Sequence, residues 1–182
     1  AAPLAAQTDI TSYHTLTQAG VVYQQFTVTT AGVFDLFTTS ALGPAFNTPF
    51  DPYVYLFEGA GTAGTLLGAD DDGCFSFLSQ CGEPDSFANS ILNDIALDLG
   101  TYTVAVGGYD LNEADARDGL NDLNTYEGPY ALRLVSSETY NGTGVALGVA
   151  SFDSIVTPEP ASFALVGVGL AVVGAAVRRR RR

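Results

Sequence analysis

The sequence predicts an all-β fold: a β-sandwich of about 7–9 strands, followed by a single C-terminal transmembrane helix. Three observations carry this expectation. Apolar residues up to Phe152 fall in short runs, several alternating with period two, with Gly, Asn and Asp between them. No window before Ala161 holds a sustained apolar stripe of period 3.6. The longest apolar run, Ala161 to Val177, comes last and is closed by five arginines.

The first clear strand is Val21 to Thr29, with Val22, Phe26 and Val28 on one face. Ala31-Gly32 follows as a turn of hairpin length, and Val33 to Thr38 is the next strand. Tyr53 to Phe57 and the short run at Leu66-Leu67 are rich in strand formers and can pair as a hairpin. In Ile91 to Leu97 the residues Ile91, Asn93, Ile95 and Leu97 face one way. Gly100 breaks the chain before Thr101 to Val106, which alternates cleanly. Tyr130, Leu132 and Leu134 point inward from Tyr130 to Val135, and Val145 to Phe152 can form a last strand. Two long loops, Thr39 to Pro52 and Asp110 to Gly128, interrupt the pattern, and long loops in compact β domains often carry function.

The resulting organisation is an N-terminal lead (1–19), a sandwich (20–152), a linker (153–160), a membrane helix (161–177) and a basic cytoplasmic tail (178–182). At about 1.5 Å per residue the apolar run reaches about 25 Å, short of a hydrocarbon core of about 30 Å. Snorkelling arginines can close that gap. An ordinary single-pass anchor and a buried core helix are the alternatives, and a core helix needs no arginine cap. Pro158-Glu159-Pro160, the apolar run and Arg178, Arg179, Arg180, Arg181 and Arg182 occur in order. This tripartite tail resembles the PEP-CTERM sorting signal of Gram-negative bacteria. The resemblance implies exosortase as a partner, an inner-membrane stage, and delivery to the cell envelope. A start at Ala1-Ala2-Pro3 in a chain without methionine fits a secreted precursor whose signal segment lies upstream.

Apart from the terminal five, the basic residues are Arg117 and Arg133, against 20 acidic residues. Such a body repels nucleic acid and anionic headgroups and attracts cations. A saline habitat is an alternative cause of the acidity. Cys74 and Cys81 fit a structural disulfide in an oxidising compartment, worth roughly 2–3 kcal/mol before strain. Their spacing and the lack of a nearby histidine suit neither a redox motif nor zinc.

Two acidic constellations are candidate Ca²⁺ sites. Asp70, Asp71 and Asp72 precede Gly73, and the hairpin would bring them to the same end as Asp51. Convergent hard oxygens are what Ca²⁺ requires, but no EF-hand loop is formed, and a solvated acidic turn is an equal alternative. The second comprises Asp110, Asn112, Glu113, Asp115, Asp118, Asp122 and Asn124, with Arg117 able to pair locally; a solvated loop is its alternative. No nucleophile elbow, HExxH or phosphate loop is present, and His14 is the only histidine, so no enzyme is expected. Tyr53, Tyr55, Tyr109 and Tyr126 are candidates for stacking sugars, with the sandwich core as the alternative.

Five segments together resemble the bacterial pre-peptidase C-terminal (PPC) β-sandwich, in particular the DVUA0089-type proteins that carry PEP-CTERM tails. They are Tyr23-Gln-Gln-Phe26, Phe50-Asp-Pro-Tyr-Val-Tyr-Leu-Phe57, Asp70-Asp-Asp-Gly73, Leu97-Asp-Leu-Gly-Thr-Tyr-Thr-Val104 and Gly128-Pro-Tyr-Ala-Leu-Arg-Leu134. The resemblance implies a jelly-roll-like, non-catalytic, often calcium-bound sandwich. The cysteine insertion and the Asp110–Gly128 loop depart from it. The expected role is a cell-surface or extracellular-matrix protein; the alternative is a calcium-dependent polysaccharide-binding module.

Overall fold

The computed structural model describes residues 9–40, 51–75, 81, 88–121, 127–136 and 153–154. Among these residues, nine strands form two antiparallel sheets: β1 (Asp9–Leu16), β2 (Val22–Val28), β3 (Gly32–Ser40), β4 (Pro52–Glu58), β5 (Leu66–Asp70), β6 (Ile91–Leu97), β7 (Gly100–Gly108), β8 (Gly128–Ser136) and β9 (Asp153–Ser154). One sheet has the order β1-β8-β3-β6, the other β5-β4-β7-β2-β9. Their facing sides meet in one core. Ile10, Leu16, Phe34, Leu36, Tyr130, Leu132 and Leu134 come from the first sheet; Phe26, Val28, Val54, Leu56, Tyr102, Val104 and Val106 come from the second. The inward triplets expected on β2 and β8 lie in or against this core.

Four sequence expectations are revised. First, β1 lies within the stretch read as a lead and pairs along its full length with β8, from Asp9↔Val135 to Leu16↔Gly128. Polar Thr11, Tyr13 and Thr15 alternate with inward residues there and mask its strand character. Second, β2 and β3 do not form a hairpin. They lie in different sheets, so the short link at Ala31 crosses the sandwich. Third, Ile91 and Leu97 face opposite ways. A register shift between Phe34 and Leu36, with Asp94 at φ 54°, inverts the phase mid-strand. Leu92, Ile95 and Leu97 thereby meet the main core, while Ile91 packs outside it. Asp35 Oδ1 accepts from Asp94 N at 2.8 Å and holds the bulge. Fourth, the Asp110–Gly128 stretch contains a helix, α1 (Glu113–Asp118).

Among the described strands, β4 and β5 alone form a hairpin between sequence neighbours, as expected. The run Val145–Phe152 lies outside the described residues, as do residues 41–50 of the long Thr39–Pro52 stretch and the segment 161–177 read as a membrane helix. No helix among the described residues is long and apolar enough to cross a membrane.

Both outer faces carry a cover. On the four-stranded sheet, the Cys74–Cys81 disulfide packs with Phe37, Ile91 and Val135, both sulfurs buried. On the five-stranded sheet, Val21, Tyr23, Tyr55, Phe57 and Ala105 are capped by Leu111 and Ala116. Replacing both cysteines by alanine is expected to lower unfolding free energy by roughly 2–3 kcal/mol through loop entropy alone. Denaturant titration checks it; a midpoint unchanged in the double variant would show that the crosslink constrains nothing in the unfolded chain.

Candidate metal centre at the acidic pole

Strand direction decides which acidic residues meet. β4 starts where β7 ends, with Pro52 opposite Gly108, and β5 ends beside Val54, opposite Asp70. Asp51, Asp71, Asp72 and Asp110 all continue past these strand ends at one pole. Asp51, Asp71 and Asp72 each place a carboxylate oxygen within 4.8 Å of the others. Asp110 stands close enough to act on both Asp51 and Asp71. Its backbone sits at φ 66°, which turns the chain sharply out of β7.

The electrostatics of this group are uncompensated. Asp51 Oδ1 and Asp71 Oδ1 are both shut off from solvent and have no hydrogen-bond donor among the described residues. Burial, then the charges of Asp71, Asp72 and Asp110, push the Asp51 carboxyl up to about 7. Burial, then Asp72, Asp70 and Asp110, push Asp71 up to about 6. Arg117 is engaged with Glu113 at 2.8 Å, and Arg133 lies over the Phe37 ring at 5.1 Å.

Beneath the carboxylates, three backbone carbonyls converge on buried Ser90. Its Oγ lies 2.8 Å from Asp70 O and 2.7 Å from Asp71 O, and is also in contact with Pro52 O. One hydroxyl has one proton to donate, so these carbonyls retain lone pairs. The pole is therefore rich in acceptors and poor in donors.

Asp70 has a different task. Its Oδ2 accepts from Gly73 N and Ile91 N, both at 2.8 Å. A Cβ on Gly73 would meet that carboxylate at 2.6 Å, so a larger residue at the start of the 3₁₀ turn Gly73–Phe75 would displace the carboxylate from these two N–H groups. Strand alternation breaks at this turn, which is why Asp70 parts from Asp72. Ser90, a ligand-type oxygen at the same pole, was missed; it lies far from the acidic run in sequence, with no motif to mark it.

The second constellation does not converge. Asn112 is the N-cap of α1: its Oδ1 accepts from Asp115 N at 3.0 Å, and its Nδ2 donates to Asp115 Oδ2 at 2.7 Å. Glu113 pairs with Arg117, Asp118 lies near Tyr23, and only Asp110 joins the first group. Asp122, Asn124 and Tyr126 lie outside the described residues. Of the tyrosines considered for sugar stacking, Tyr55 is buried and donates to Leu111 O at 3.0 Å, and Tyr53 stacks on it at 5.1 Å. Tyr109 is 45% exposed. His14 contacts Ser12 Oγ at 2.9 Å and packs on Tyr130.

Residues 156–182 match the PEP-CTERM protein-sorting motif. No curated protein matches the chain. Among solved structures, it is similar to a mitogen derived from Yersinia pseudotuberculosis, at 12% identity and TM-score 0.43, over 84% of this chain and 97% of that one. It is also similar to a protein of Sulfurospirillum deleyianum, at 11% identity and TM-score 0.40, over 73% and 99% respectively. The sorting motif marks a secreted protein processed by exosortase and bound for the envelope of a Gram-negative bacterium.

Proposed function

We propose that this is a non-catalytic cell-surface or matrix protein whose sandwich is stabilised by Ca²⁺ at the acidic pole and whose tail holds it in the inner membrane until exosortase acts. One observation carries the calcium: Asp51 and Asp71 each bury a carboxylate oxygen without a donor, next to Asp72. A desolvated carboxylate with neither hydrogen bond nor cation is costly, and a divalent ion removes that cost. Asp51, Asp71 and Asp72 would hold the ion, with Asp110 adding charge and the carbonyls around Ser90 supplying neutral oxygens of the type Ca²⁺ accepts. The order β1-β8-β3-β6 facing β5-β4-β7-β2 supports the jelly-roll class implied by the PPC-like resemblance.

Calorimetric titration of the full chain with Ca²⁺ tests the site. Saturable binding is expected, weakened at least about tenfold in Asp51→Asn and Asp71→Asn, since each variant loses a charged ligand. Asn112→Ala should cost about 1 kcal/mol of stability through the lost cap and leave calcium affinity unchanged. Absence of heat in the wild type, or equal loss in Asn112→Ala, would refute the assignment. A second reading, the calcium-dependent polysaccharide module, is favoured by Tyr13. It is 83% exposed beside a cleft of 270 Å³ lined also by Thr15 and Pro129. A glycan array on wild type and Tyr13→Ala separates the two.

A further inference from the structure

We propose that the acidic pole is the face this protein turns toward phospholipid headgroups while its tail is attached, and that a divalent cation there joins its carboxylates to lipid phosphate. The direction of β9 is the primary observation. β9 runs antiparallel to β2, with Asp153 opposite Gln25 and Ser154 opposite Gln24. β2 starts at the acidic pole, where Val22 pairs with Val106, and ends at the far pole, where Val28 pairs with Gly100. The chain therefore leaves β9 heading for the acidic pole.

The tether is short. The sorting motif begins at residue 156, two residues past Ser154. Pro158 is four residues past Ser154, a reach of at most about 14 Å. Gln24 is two residues from the start of β2, about 7 Å along the strand. Ala161 is seven residues past Ser154, a reach of at most about 25 Å, and a tail that keeps the direction of β9 brings a bilayer holding that run to the acidic pole.

Surface chemistry points the same way. Tyr109, 45% exposed, immediately precedes Asp110. Leu120, 48% exposed, sits in the bridge to Gly20, just before β2. Tyrosine with an exposed ring favours the headgroup zone, where an apolar body and a polar tip are both accommodated. The neighbouring carboxylates oppose approach to anionic lipid, and a bound divalent ion converts that repulsion into a bridge. The bridge rests on the calcium reading above, and the bilayer contact rests on insertion of the tail.

The test uses the full chain reconstituted in vesicles of phosphatidylcholine and phosphatidylglycerol carrying a headgroup acceptor dye. A donor is attached at Leu120→Cys or, in a separate sample, at Leu99→Cys; Leu99 is 68% exposed in the turn before β7, at the far pole. Both native cysteines are in the buried disulfide, so the introduced thiol reacts alone. The poles are separated by the length of β7, about 27 Å, so transfer is expected to be several-fold stronger from Leu120→Cys. Tyr109→Cys serves as a second donor at the acidic pole. Flotation of the vesicles reports insertion. Protein that fails to float overturns the tail reading and the orientation together. Floating protein with equal or reversed transfer overturns the orientation alone. Calcium should raise transfer from Leu120→Cys above its value in chelator. No rise despite calorimetric binding overturns the bridge; no binding at all removes the bridge together with the calcium reading.

Discussion

In chelator, the melting temperature is expected to fall as pH rises from about 6 to about 8, and saturating Ca²⁺ to raise it by about 5–10 °C at the upper end. The sign follows from the direction of the two shifts. Asp51 and Asp71 are raised in the fold from the ordinary value of 3.8 to about 7 and about 6. Between the unfolded and folded values the native state binds more protons than the unfolded one. Their contribution to stability is therefore fully present below the unfolded value and is lost as pH climbs through about 6 and about 7. Ordinary carboxylates have finished titrating by then; His14, whose imidazole burial holds below its usual range, acts with the opposite sign in this window, so the difference between wild type and Asp51→Asn isolates the cluster. Both groups are only half-buried, so solvent screening reduces the effect below what the shifts alone imply.

Calcium at a hundredfold excess over its dissociation constant adds about 2.7 kcal/mol. For a domain of this size each kcal/mol moves the midpoint by about 2–4 °C, which gives the stated range. Asp51→Asn should flatten the pH slope in chelator, because the amide cannot ionise, and should cut the calcium response at the same Ca²⁺ concentration by about half or more. Melts that rise with pH, or an Asp51→Asn slope equal to wild type, would dissociate the stability of the fold from this cluster.

The sequence discloses the strands better than their partners. Runs such as Tyr53–Phe57 and Thr101–Val106 are dense in β-branched and aromatic residues, and they form β4 and most of β7. Pairing depends on which sheet each strand joins, and a short turn does not reveal that. The link at Ala31 has hairpin length, yet Phe26 and Phe34 reach the same core from opposite sheets. β1 is hidden because its outward positions are polar or exposed and it carries the lone histidine. The bulge at Asp94 is hidden because a phase change looks like imperfect alternation.

The candidate site is legible in the same partial way. The hairpin expectation places Asp51 with Asp71 and Asp72, since β4–β5 pairing is a local contact. Asp110 could be placed only by the non-local pairing of β4 with β7. The second constellation illustrates the limit of composition. Asn112, Glu113 and Asp115 are the residue types of a metal loop and equally those of a helix N-terminus, where they satisfy free N–H groups and complement the dipole. The N-cap geometry of Asn112 places them in the second class.

Truncating Phe57 to alanine is expected to cost about 3–5 kcal/mol, because the ring is fully buried and lies where strand, hairpin loop and helix meet. Phe57 stacks in a row with Tyr55 at 6.3 Å, and the Arg117 guanidinium lies 4.5 Å over its centroid. Arg117 Nη1 donates to Thr62 O and Gly64 O in the β4–β5 loop, while Thr62 Oγ1 donates back to Arg117 O at 3.0 Å. One arginine thus closes α1 onto the hairpin. Arg117→Ala should cost about 2–3 kcal/mol, since it strips a charged donor from carbonyls in a partly buried loop. Glu113→Ala, which removes only the half-exposed ion pair, should cost less than about 1 kcal/mol. Lysine at 117 should not restore stability, because a point ammonium cannot cover the ring and reach both carbonyls with a planar fork. Phe57 and Arg117 share one contact, so the double variant should fall short of additivity by about 0.5–2 kcal/mol. Chemical denaturation of the four proteins closes the cycle. Strict additivity, or full rescue by Arg117→Lys, would mean that α1 is held by Tyr23 and Tyr55, whose hydroxyls donate to Ala116 O and Leu111 O, and that the arginine only decorates the surface.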